Sequence, residues 1–148
     1  MLAFPTEGSD ACEFEHRGMV DAVSELLAAG RVKLYCVDTF DSETWSNPHI
    51  PLEERARRHQ QYEAWILDEV IPRIRDDCGG ASDLIACGCS LGAFHAANFA
   101  LKCADVFPLA DGWEARVPLH QIAPLVVHAI KFGGGYVNAA SAAITRYT

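Results

Sequence analysis

Gly88-Cys89-Ser90-Leu91-Gly92 has the residue types and spacing for covalent chemistry: it fits the pattern G-x-S-x-G. A serine hydroxyl is a weak nucleophile, and it needs exposure and activation before it can attack a carbonyl. Residues without a Cβ on both sides let the chain turn sharply and pass close to its neighbours. The flanks suit the motif. Asp83-Leu84-Ile85-Ala86-Cys87 reads as a short buried strand, and Ala93 to Lys102 reads as a helix. A serine held between strand and helix in this way is a nucleophile elbow. The turn lifts the Oγ out of the sheet, and the helix N-terminus beside it favours negative charge. The chemistry expected is acyl transfer.

Acyl transfer also needs oxyanion donors, a base, and a carboxylate to orient the base. The N–H of Leu91, the residue after the nucleophile, is one expected donor. A second is expected in the loop after the first strand, which begins Pro5-Thr6-Glu7. Pro5 has no N–H, so Thr6 is assigned, with Glu7 as the alternative. For this kind of elbow the chain order is serine, then acid, then histidine. His95, His120 and His128 follow Ser90. His95, five residues along the same helix, is expected to pack beside the site or against a loop. His128 lies in an apolar run and reads as a core histidine. His120 is therefore the candidate base. Asp105 and Asp111 precede it, but neither marks a strand end, so an elbow with an incomplete triad is expected. Upstream, His16 and His59 read as surface or half-buried helical positions. Asp38, Asp41, Trp45 and His49 are expected near strand carboxyl ends, where sites of open α/β sheets gather.

Composition narrows the function classes. The chain has 148 residues, half of them hydrophobic, and a net charge of −8. That length is enough for a real core, and the charge speaks against a nucleic-acid backbone or an anionic membrane as partner. None of the six cysteines forms a C-x-x-C pair, and there is no H-E-x-x-H. No metal site and no organic cofactor are expected. Cys87 and Cys89 read as buried thiols. No signal peptide and no run of about 18 apolar residues stands out, so a reducing cytoplasm is the expected setting.

The elements that must position Ser90 follow in order. Met1–Pro5 reads as a strand end, Glu15–Ala29 as a helix stopped by Gly30, and Val32–Val37 as a strand. A long helix opens at Pro51 or Leu52, with Leu52, Ala56, His59, Tyr62, Ile66 and Val70 on one face. Pro72 kinks or ends it. Asp76–Ser82 is a loop. Strand alternating with helix implies parallel, right-handed crossovers in a three-layer α/β sandwich with a mostly parallel sheet. After Phe107 the chain becomes poor in charge and rich in alanine and glycine. Residues 108–148 are thus an atypical segment of a single domain, with Leu125–Ile130 as a strand and Ala139–Ile144 as a helix or frayed end.

Several stretches resemble one group of α/β-hydrolases, the serine esterases related to esterase D and the S-formylglutathione hydrolases. They are Leu2–Thr6, Phe14–Ala22, Val32–Asp38, Glu43–Asn47, Glu54–His59 and Gly88–Leu101, the last being the most specific. The resemblance covers about the first two thirds. It implies hydrolysis of a small carboxylic ester through a Ser90 acyl-enzyme. It also implies a longer domain, with strands before Met1 and others after the elbow helix that carry the acid and the histidine. The chain then reads as an incomplete α/β-hydrolase fold. The alternative is a non-catalytic partial hydrolase-fold fragment or binding module. Missing strands would leave sheet edges unpaired and favour self-association as a homo-oligomer.

Overall fold

Leu2 and Phe4 are fully buried, and the short strand that holds them organises everything around it. The computed structural model describes residues 1–80 and 83–147, the side chains of His120 and Ala123 excepted. It is mixed α/β and mostly helical, with one small parallel sheet. The described residues divide into two units, Met1–Pro108 and Leu109–Thr148. The division falls where the composition changes.

In the first unit the sheet has three parallel strands in the order β2-β1-β3: β1 Leu2–Phe4, β2 Tyr35–Cys36 and β3 Ala86–Gly88. Ala3 pairs with Cys36 on one side and Cys87 on the other. Those two thiols lie two strand spacings apart, about 9.6 Å, too far for a disulfide. Both thiols are half-buried, and that burial pushes their pKa upward. Cys89, expected to be buried with Cys87, is instead exposed, because it lies past the end of β3.

The connection from β1 to β2 is not the single helix its spacing predicts. It is three short ones: α1 Glu13–His16, α2 Met19–Ala22 and α3 Ser24–Ala28. Gly18 sits at φ 72° between the first two, a left-handed conformation that a helix cannot propagate through. Gly30 at φ 64° follows the third, consistent with its expected role as a stop. The apolar residues at helical spacing do not bury a common face here, since Met19 and Leu26 are exposed.

The long helix runs from α4 Leu52–Trp65 through a π-wound turn, Ile66–Val70, into α5 Ile71–Asp77. Pro72 does not end it. A proline ring collides with the carbonyl four residues back, and it has no N–H to donate. The widened turn stands just ahead of Pro72 and accommodates both faults. The loop expected from Asp76 begins only at Cys78. Of the predicted face, His59, Tyr62 and Ile66 are buried and Leu52 is exposed. Beyond the π turn the buried positions become Ile71 and Ile74.

Helix α6, Leu91–Lys102, packs on β1 and β3. Phe99 stacks on Phe4 with centroids 5.4 Å apart and planes 7° from parallel, and Phe107 closes against Phe99. Each fully buried aromatic contributes roughly 1.5–3 kcal/mol by removing apolar surface from water.

The second unit is helical: α7 Trp113–Phe132 and α8 Gly135–Thr145. The strand expected at Leu125–Ile130 is corrected, because those residues lie inside α7. Ile122, Leu125, Val126 and Ala129 are half-buried while Val127 and Ile130 are exposed, a helical period against α8. A short apolar run cannot separate strand from helix without that neighbour. Pro118 lies inside α7. Near it the Tyr147 hydroxyl accepts from the Leu119 N–H at 3.1 Å and donates to the Ala115 carbonyl at 2.6 Å. The hydroxyl thereby bridges one rung of the helical ladder. Among the described residues no helix is long and apolar enough to cross a membrane.

Candidate active site

Ser90 caps α6 directly after β3, with φ 54° and ψ −123°. Among the described residues it is the one non-glycine at positive φ. Such a conformation costs about 1–3 kcal/mol and persists only where the surroundings over-determine it. Here the surroundings are two glycines. A Cβ on Gly88 would stand 2.5 Å from the Gly92 backbone and 2.8 Å from the Phe4 carbonyl oxygen. A Cβ on Gly92 would collide with the Phe4 and Pro5 carbonyl oxygens. The elbow glycines therefore allow strand β1, β3 and helix α6 to touch backbone to backbone.

The Ser90 side chain is exposed and makes no capping hydrogen bond. Among the described residues its Oγ has no hydrogen-bond partner. The N–H of Leu91, first residue of α6, points out of the helix end with no intrahelical acceptor, so it is placed to receive an oxyanion. Thr6 is differently committed. Its N–H donates to Glu13 Oε2 at 2.6 Å and its hydroxyl donates to Glu13 Oε1 at 2.7 Å. The carboxylate of this buried residue occupies the donor that an oxyanion would need.

His120 lies in α7, but its side chain is outside the described residues, so the candidate base has no described geometry. His128 is half-buried, with Nδ1 2.7 Å from the Pro124 carbonyl oxygen. Asp105 and Asp111 are exposed, and His16 and His49 are exposed as well. His95 is 1% exposed and its Nε2 lies 3.0 Å from Oδ1 of Asp41, also 1% exposed. It packs against a loop, as its position along α6 suggests. The pairing itself is not visible in the sequence, since 54 residues separate the partners.

Around that pair stands an aromatic cluster. The His59 ring stacks 5.3 Å from His95, and Trp45 packs on His59 at 5.1 Å and edge-on to Phe94 at 6.0 Å. Trp45 is thus a half-buried packing residue. A cleft of about 470 Å³ lies beside the cluster, walled by Phe40, Thr44, Tyr62 and Trp65, with Arg57 and Arg58 on its rim. Ser90 is not among its walls. Both arginines are paired with Glu54, whose carboxyl they hold down at about 2. Among the described residues no group of histidines, cysteines and carboxylates converges as a metal site would require.

Acid weakens this arrangement in two stages. Burial is the chief cause that pushes the His59 pKa below its ordinary 6.5, against the attraction of Glu63. The unfolded chain then binds the extra proton first, so stability falls as pH drops below about 6.5. The Thr6 N–H is the chief cause holding the Glu13 carboxyl below 4.5. Its contribution is present above pH 4.5 and is lost as pH falls toward its folded value. Urea midpoints measured from pH 7.5 to about 3 are expected to decline in both ranges. His59→Phe removes the upper decline; an unchanged upper decline in that variant excludes His59 as its source.

Compared with known proteins, the chain matches no family model, no curated protein and no solved structure.

Proposed function

We propose that this chain is a serine hydrolase that cleaves small carboxylic esters through an acyl-enzyme on Ser90. The observation that carries the reading is the strained elbow: a serine at φ 54° and ψ −123° heading a helix, with glycines at positions 88 and 92 in backbone contact. A serine at a strand-to-helix turn can be a plain connection. A strained one costs stability wherever it occurs, and its presence beneath an exposed hydroxyl supports a use for that hydroxyl. In the proposed reaction Ser90 Oγ attacks the ester carbonyl and its proton passes to a general base. The Leu91 N–H receives the oxyanion. The tetrahedral adduct collapses, the alkoxide leaves with that proton, and water then releases the acid from Ser90. The reaction requires no metal or organic cofactor. The fold that goes with this reading is a three-layer α/β sandwich of the α/β-hydrolase type. A cytoplasmic setting and a partnership limited to a small ester, with neither nucleic acid nor membrane, complete the proposal.

A second reading is supported by a separate observation: the Ser90 hydroxyl has no base beside it among the described residues, and His95 is turned into the core onto Asp41. On that reading the elbow belongs to a partial hydrolase fold without a triad, acting as a binding module or through self-association.

Intact-mass analysis after treatment with a fluorophosphonate separates the two. Ester hydrolysis predicts one adduct on the native chain and none on Ser90→Ala. A folded native chain that takes no adduct refutes the hydrolase reading and leaves the second.

A further inference from the structure

Asp41 and His95 form a polar pair inside the apolar core of the first unit, each 1% exposed, with Nε2 to Oδ1 at 3.0 Å. Their remaining polar atoms, Asp41 Oδ2 and His95 Nδ1, are buried without a hydrogen-bond partner among the described residues. Such a pair is a poor source of stability, because desolvation of both groups offsets their attraction and the leftover atoms add a further penalty. An apolar pair of the same volume would hold the core at least as well. What the polar pair supplies instead is direction, since one hydrogen bond fixes which residue faces which.

The two segments it joins are informative. Asp41 opens a short 3-10 turn, Asp41–Glu43, beyond β2, and its neighbours Phe40 and Thr44 wall the cleft. His95 lies in the second turn of α6, the helix that Ser90 heads. Gly92 ties the start of that helix to β1 through backbone contact. Three residues on, His95 ties it to the Asp41 turn. The ring of His95 is enclosed by Phe4, His59, Tyr62 and Phe94, so it has no room to change partner without moving the helix.

We infer that the Asp41–His95 hydrogen bond is a positioning device that locks the cleft-walling segment Phe40–Trp45 to the helix presenting Ser90. Cleft and serine then keep one relative geometry. Neither residue touches the reacting atoms; both act through the placement of Ser90. The role given to Ser90 rests on the hydrolase proposal, whereas the locking of the two segments does not.

The test compares the native chain with four variants. Asp41→Asn and His95→Gln keep a donor facing an acceptor; Asp41→Ala and His95→Phe do not. Two readouts are taken: kinact and KI for fluorophosphonate at Ser90, and hydrogen exchange over residues 40–45 and 90–95. The expected result is a kinact loss of about 10- to 100-fold in Asp41→Ala and His95→Phe, the scale of a small misplacement of a reacting group. KI stays near native. Asp41→Asn and His95→Gln restore most of the rate, and both segments lose exchange protection together only in the truncated variants. Folded Asp41→Ala with native kinact and native exchange overturns the inference, as does failure of the conservative variants to rescue. Where the truncations do not fold, Asp41→Asn combined with His95→Gln decides: retained joint protection supports the lock, and independent opening of the segments overturns it. A native chain without an adduct refutes the hydrolase proposal alone; the exchange data still decide the lock.

Discussion

Ser90→Ala is expected to lower ester hydrolysis by about 10⁴-fold or more, the scale seen when a serine nucleophile is removed. The loss falls on kcat, because in the proposed reaction the hydroxyl forms the acyl-enzyme and contributes little to ground-state binding. The same position carries a second, opposite signature. Alanine has a Cβ and cannot relax φ 54°, so Ser90→Ala keeps the strain. Glycine enters that region at no steric cost. Ser90→Gly is therefore expected to lose hydrolysis equally and to gain about 1 kcal/mol of stability or more, the strain being worth about 1–3. Esterase assays with urea unfolding of both variants check the pair. Hydrolysis that survives in Ser90→Ala rejects the nucleophile; destabilisation in Ser90→Gly rejects the strained elbow.

Gly92→Ala is expected to cost about 3 kcal/mol or more, at the upper end of overpacking penalties. The added methyl would meet the carbonyl oxygens of Phe4 and Pro5. These are backbone atoms of the central strand and its exit, and they cannot swing aside as a side chain would. Helix α6 must lift from β1, and the Phe4–Phe99 stack opens with it. Gly135→Ala is the matched control: nothing lies within 4 Å of a Cβ there. In a helix that change is expected to be neutral or stabilising by up to about 1 kcal/mol. Denaturation midpoints of the two variants are the measurement. A Gly92→Ala loss under about 1 kcal/mol would mean that the elbow packs loosely.

The elbow was legible in the sequence because its determinants are local. Ser90, its two glycines, the apolar run before and the helix after occupy one short stretch. The three strands were legible for the same reason, each being a short apolar run. The features the sequence hid depend on partners distant along the chain. Asp41 and His95 carry no mark of each other, and Glu13 gives no sign that it will hold the Thr6 N–H. Leu125–Ile130 is apolar enough for either a strand or a helix, and only packing against α8 decides. In Glu15–Ala29 the apolar spacing is helical throughout, yet one residue, Gly18 at φ 72°, suffices to break the helix.

The π-wound turn at Ile66–Val70 sets a constraint on insertions and deletions. Each residue in an α-helix advances the facing direction by about 100°. A widened turn behaves as one residue spliced into a helix, and it keeps the buried stripe of His59, Tyr62 and Ile66 in line with Ile71 and Ile74. Deleting one residue between Trp65 and Ile71 would heal the winding and leave that face buried, but Pro72 would then meet an ordinary α-helical carbonyl. Inserting one more residue into a regular winding would instead turn Ile71 and Ile74 by about 100° out of the core.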